Sequence, residues 1–170
     1  HAPVVGVDGR IYGSNDVACD VSDVARIKAL AGTLPEDAVW ITSHLSRAID
    51  TARAIAEAGH KMPEPAIEED LCEQNFGDWQ GLTWKEMREK DPDAYDVFWQ
   101  DPASARPPGG ESFADQIART SAVIDRFTAE HGGCDIVAVA HGGTIRAAIA
   151  KALGLNPVQG MAIRFDNLSV

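Results

Sequence analysis

The chain reads as an α/β protein, a three-layer α/β/α sandwich on a mostly parallel sheet. Three observations predict this. Two short apolar runs, Ala38 to Ser43 and Ile136 to Ala140, each end in polar residues and lead directly into a helical pattern. A further helical pattern precedes the first run, which supplies helices for the faces of the sheet. The Ile136 run is β-branched and lacks alternation, so both its faces are expected to be covered.

Length and composition narrow the class. At 170 residues with 45% hydrophobic content, the chain is the size of one domain with a substantial core. Its 26 acidic residues outnumber 15 basic ones, a formal net charge of −11, and the basic residues do not cluster. That balance argues against nucleic acid or an anionic membrane as partner. There is neither an apolar run of membrane-spanning length nor a signal-like start. Cys19, Cys72 and Cys134 are far apart and lack metal-ligand spacing, so we expect reduced, buried thiols in a cytoplasmic protein, with no metal and no cofactor.

Taken in order, Val4 to Asp20 is rich in Gly and Asp without periodicity and predicts a long ordered loop. Ser22 to Leu34 carries Val24, Ile27, Leu30 and Leu34 at helical spacing, with Ser22 or Asp23 as cap. Ala38 to Ser43 is a strand, and Leu45 to Ala58 a helix ended by Gly59. Ala66 to Leu71 is expected to form a short strand, followed by a turn-rich segment from Cys72 to Gly81. Thr83 to Lys90 and Asp93 to Gln100 predict two short helices, and the Pro- and Gly-rich stretch Asp101 to Gly110 a loop acting as a lid. Ser112 to His131 is the longest helical pattern and precedes the second strand. Gly142 and Gly143 then allow a tight reversal into a helix from Thr144 to Leu153, ended by Gly154. Met161 to Phe165 resembles a strand.

Few polar residues stand at the ends of these strands: His1 with its loop, Ser43 and Arg47, Glu73, and His141. By itself His141 reads as a hydrogen-bonded structural residue. Together, two histidines and an arginine suit a phosphate monoester, since Arg presents a planar fork of donors and imidazole can donate or attack. A nearby carboxylic acid can protonate the leaving oxygen. Glu68, Glu69 and Asp70 compete with Glu73 for that part, whereas His44, His60 and His131 read as bystanders and Trp79, Trp84 and Trp99 as packing.

At this point five ordered segments resemble the histidine phosphatase, or phosphoglycerate mutase-like, superfamily. His1-Ala2-Pro3 resembles its Arg-His-Gly start without the arginine and with Ala for Gly. Ser43-His44-Leu45-Ser46-Arg47-Ala48 with Thr51 is similar to its Ser-x-Leu-x-Arg-Ala-x-x-Thr segment, with His44 where Pro is common. Leu71-Cys72-Glu73 with Phe76 to Gly81 resembles its acid-bearing loop, and Pro108 to Ser112 its Pro-Gly-Gly-Glu-Ser helix start. Val139 to Arg146 resembles its second histidine motif.

The resemblance implies a phosphoglycerate mutase-like fold and a small phosphorylated substrate. It makes His1 the nucleophile that becomes phosphohistidine, Arg47 and His141 the clamp on the phosphoryl oxygens, and Glu73 the proton donor. Gly142 would add a backbone donor, and Ser14 and Asn15 are candidate substrate contacts. The short, acidic chain and the segment Phe76 to Gly81 favour metal-independent phosphomonoester hydrolysis; mutase-type phosphoryl transfer and non-catalytic binding of a phosphorylated ligand are the alternatives. Gly9 to Asp16 after a His-x-Pro start is similar to the α-ribazole phosphatase group. Residues 1–170 are then expected to be one domain without its first strand and final C-terminal segment, and a homo-oligomer is open to it.

Overall fold

The computed structural model describes residues His1–Val170. In chain order the elements are α1 (Val24–Ala31), β1 (Val39–Thr42), α2 (Ser46–Glu57), β2 (Ala66–Ile67), α3 (Trp84–Lys90), α4 (Pro92–Gln100), α5 (Phe113–Glu130), β3 (Ile136–Val139), α6 (Gly142–Leu153) and α7 (Pro157–Met161). The strands form one parallel sheet in the order β2-β1-β3. Val39 lies opposite Ile136 and Thr42 opposite Val139, so the two predicted strands end side by side.

Alternation along β1 separates the layers. Trp40 packs with Ile27 and Ala31 of α1 and Ala48, Ala52 and Ile55 of α2 on one face. Ile41 points the other way, onto Leu71 and onto Val123 and Phe127 of α5. α6 packs against α5 on that second side. Trp79, Met87 and Phe98 form a separate cluster under α3 and α4, so Trp79 is core. The α/β class with a parallel sheet between helix layers is as the sequence predicts.

Several local expectations change. β3 is an edge strand, and Ala138 is exposed rather than covered. Ala66 to Leu71 keeps only two residues of strand before a 3₁₀ turn over Glu69–Leu71. Met161 to Phe165 is not a strand: Met161 closes α7, which Pro157 at the first turn and a capping box between Asn156 and Gln159 set, and Ala162 to Phe165 form no regular element. Gly142 and Gly143 are the first residues of α6, not a reversal before it. The stretch from Asp101 to Gly110 is pinned, with Ala103 and Pro107 buried and the Gly110 N–H donating to the Pro107 carbonyl. Cys134 is exposed, and Cys19 and Cys72 are only half-buried.

Candidate active site

β1 and β3 end at Thr42 and Val139, and Ser43 and His141, one and two residues further on, meet across the sheet. Ser43 Oγ lies 2.6 Å from His141 Nε2, and both residues are fully buried. His1 joins them at the same end: its backbone nitrogen donates to the Ala140 carbonyl at 3.0 Å, and its own carbonyl accepts from Asn167 Nδ2. Thr51 Oγ1, one turn of α2 beyond Arg47, accepts the Ala2 N–H at 2.8 Å and so anchors the segment. His1 and His141 stand with ring centroids 5.0 Å apart.

Hydrogen bonds assign the tautomers of both rings. His1 Nδ1 is 2.6 Å from the Ala2 carbonyl oxygen, an acceptor only, so Nδ1 carries the proton and Nε2 is left with a free lone pair. Arg47 Nε donates to His141 Nδ1 at 3.2 Å, so His141 holds its proton on Nε2 and gives it to Ser43 Oγ. Burial, reinforced by the adjacent Arg47 guanidinium, pushes the His141 imidazole from 6.5 down to about 2 and keeps it neutral.

Arg47 is fully buried and highly committed. Its Nη1 donates to the Asn15 carbonyl at 2.8 Å and Nη2 to the Gly13 carbonyl at 2.7 Å. Gly13 sits at a φ of 46°, which L side chains avoid, and a Cβ there would run into Gln80 and the Gln74 carbonyl. The guanidinium also lies 5.0 Å above the Tyr12 ring. Three of its five N–H groups are taken by the protein, leaving two.

Glu73 comes from the segment after the 3₁₀ turn and reaches the first turn of α6. Its carboxylate accepts the Gly143 N–H at 3.0 Å, the Gln74 N–H at 2.9 Å and Gln116 Nε2 at 3.1 Å. A Cβ at position 143 would collide with both Glu73 and Gln116, which explains a glycine inside a helix. Among the acidic competitors Glu68 is paired with Arg126, and only Glu73 enters the site.

These groups open on a cavity of about 260 Å³ lined by His1, Tyr12, Glu73, Gly142, Arg146 and the segment from Phe165 to Ser169. Gly142 is the first residue of α6, where the N–H has no acceptor within the helix. Arg47 and His141 lie behind this cavity rather than in its wall. Ser14 and Asn15 do not line it either: Ser14 N and Oγ both donate to Gln80 Oε1, and Asn15 Oδ1 accepts from Gln80 Nε2. They fasten the first loop to the acid-bearing one. A larger apolar cleft of about 390 Å³ between α5 and α6 has no titratable group and offers no comparable chemistry.

Four further residues belong to the site without having been singled out from sequence: Tyr12, Gln116, Arg146 and Asn167. Arg146 had a readable signal, since it stands four residues after Gly142 on α6 and therefore on the same helix face. Gln116 and Asn167 had none, because they reach the site from α5 and the C-terminal segment only once the chain has folded.

The chain matches the histidine phosphatase superfamily (branch 1) over residues 2–170 and belongs to that family. It is 35% identical over 145 residues to the metal-independent phosphoserine phosphatase of Arabidopsis thaliana, covering 82% of this chain and 60% of that protein's length. Among solved structures it is similar to mycobacterial glucosyl-3-phosphoglycerate phosphatase in complex with inorganic phosphate, with a TM-score of 0.77, 30% identity, and 96% and 81% of the two chains covered. A putative alpha-ribazole-5'-P phosphatase from Escherichia coli shares the fold at a TM-score of 0.85 and 24% identity, with 98% and 82% covered.

Proposed function

We propose that this chain hydrolyses small phosphomonoesters without a metal, through a phosphohistidine on His1. One observation carries the reading. The Ala2 carbonyl fixes the His1 proton on Nδ1, so an unprotonated Nε2 is available at a cavity shared with a carboxylic acid and a free helix N–H. Membership of the histidine phosphatase superfamily supports it.

In the first step the Nε2 lone pair attacks phosphorus, the ester P–O bond breaks, and the protonated Glu73 carboxyl gives its proton to the departing alkoxide. In the second, water attacks the phosphohistidine and the N–P bond breaks. Glu73, now a carboxylate, takes the water's proton and is reset. The Gly142 N–H at the cavity holds a phosphoryl oxygen, and the Arg47 N–H groups not held by the protein and the His141 Nε2–H join it only when the side chains behind the cavity open toward it, His141 by leaving Ser43. Neutral His141 serves as a donor without repelling the Arg47 charge. Ser14 and Asn15 act at one remove, by holding the loop whose carbonyls fix Arg47.

The test is phosphate release from a panel of monoesters in the presence of excess EDTA. Turnover that persists with the chelator, and does not respond to an added bisphosphate primer, is expected. Dependence on such a primer would move the chain to phosphoryl transfer, and binding of esters with no phosphate release would leave a binding protein.

A further inference from the structure

Gln116 is fully buried on α5, and its side-chain amide lies against Glu73. Nε2 gives one hydrogen to Glu73 Oε1 at 3.1 Å and the other to Thr144 Oγ1 at 3.2 Å. The Thr144 hydroxyl spends its own hydrogen on the Cys72 or Leu71 carbonyl, so toward Gln116 it accepts, which fixes the way the amide faces. Gln116 Oε1 is then buried without a partner. An orphaned acceptor costs stability, and an apolar side chain of the same length would fill the space without that cost. Packing alone therefore does not account for a glutamine here. What the amide supplies is a donor to Glu73.

The two oxygens of the Glu73 carboxylate are treated differently. Oε1 accepts from Gln116 Nε2, from the Gln74 N–H at 2.9 Å and from the Gly143 N–H at 3.0 Å. Oε2 shares only the Gly143 N–H, at 3.1 Å, and lies beside Gly142, where a Cβ would stand 3.6 Å from it. Gly142 lines the cavity, whereas Gly143 and Gln116 do not. The inner oxygen thus has its lone pairs filled by N–H groups, and the outer one is left open on the cavity side.

We infer that Gln116 is a positioning residue for the acid. By holding Oε1 inward it leaves Oε2 as the oxygen that gives its proton to the departing alkoxide and takes one back from water. The inference rests on the phosphatase reading for that proton transfer, but not for the hold on the carboxylate.

The experiment uses Gln116→Met, which keeps the length of the side chain and removes the donor, with Gln116→Leu as a second donor-free variant. kcat is measured on an alkyl phosphomonoester and on p-nitrophenyl phosphate, and urea unfolding is followed in parallel. A kcat loss of about tenfold is expected on the alkyl ester and a smaller one on p-nitrophenyl phosphate, whose leaving group needs no proton, with stability held or raised. Titration of the Glu73 carboxyl, labelled with ¹³C and followed by NMR, gives a reading independent of turnover. Its midpoint should rise in both variants, because one N–H to the charged form is gone. The groups facing Glu73 from the surrounding elements, His1, Tyr12, Arg47, Cys72, Arg119 and Arg146, are the same in every protein compared, so the change belongs to Gln116. Equal losses on the two esters, or an unmoved midpoint, overturn the inference. If the unaltered chain releases no phosphate, the phosphatase reading fails, and a raised midpoint still keeps Gln116 as the holder of Oε1.

Discussion

The two walls of the site are built on opposite terms. Behind His1, Arg47 and His141 are fully buried and bonded to each other, Arg47 also to the Gly13 and Asn15 carbonyls and His141 to Ser43. In front, Arg146, Asp166 and Asn167 stand at the cavity with donors or acceptors uncommitted, on a helix face and a C-terminal segment. These buried groups are held in place without a ligand, on the side of the cavity where the proposed reaction puts the phosphoryl group, and the His141 Nε2–H has to leave Ser43 to reach it. In the proposed reaction the front wall is left to the part that differs between substrates. Rigidity and openness are thus divided along the bond to be broken, which is the arrangement preorganised electrostatic catalysis requires.

Substitutions on the two sides should therefore fail differently. The largest effect is expected for His1→Ala, which removes the attacking nitrogen and should lower kcat by about a thousandfold or more with the fold retained, checked by steady-state turnover alongside circular dichroism. Arg47→Ala should instead act through the rear wall. It strips partners from His141 Nδ1 and from the Gly13 and Asn15 carbonyls, and should cost about 3 kcal/mol in urea unfolding as well as activity. If Arg47→Ala lost activity but no stability, the rear wall would not be the preassembled unit described here.

Glu73→Gln keeps the shape of the acid but not its proton, and should lower kcat by about a hundredfold on esters with poor leaving groups. The loss should shrink on an ester such as p-nitrophenyl phosphate, whose leaving group needs no proton. Smaller again is a pH effect on the rear wall. The His141 imidazole titrates near 6.5 ordinarily and near 2 in the fold, so between those values the unfolded chain binds a proton that the folded chain does not. Stability is then complete above about pH 6.5 and falls below it by about 1.4 kcal/mol per pH unit for this group. Unfolding midpoints at pH 7 and pH 5.5 should show the slope, and His141→Gln should flatten it. The smallest effect is expected for Ser14→Ala, which loses one hydrogen bond to Gln80 and about 1 kcal/mol of stability.

The sequence was informative wherever local chemistry decides the outcome. β1 and β3 were visible as apolar runs, α1, α2, α5 and α6 as periodic segments, and α3 and α4 as short helices on either side of Pro92. His1, Arg47, Glu73 and His141 were recognisable as strand-end and loop residues, and they do converge on one end of the sheet. What stayed hidden depends on long-range contact. That Arg47 and His141 would spend their polar atoms on Gly13, Asn15 and Ser43, and so retreat behind the cavity, cannot be read from a motif. Nor can the turning of Ser14 and Asn15 toward Gln80, a residue far along the chain. The strand expected at Met161 to Phe165 did not form: α7 takes Met161, and the rest pairs with no strand of the sheet, the Ile163 carbonyl accepting from Arg146 Nε instead.

The central claim is that His1 Nε2 takes the phosphoryl group. Its most direct test is a rapid-quench reaction with a phosphomonoester under alkaline conditions that preserve phosphoramidates, followed by peptide mapping. Acid-labile phosphate on the peptide carrying His1, formed and lost at rates matching turnover, is the predicted result. Turnover measured in the same sample with His1 unlabelled at every time point would contradict it.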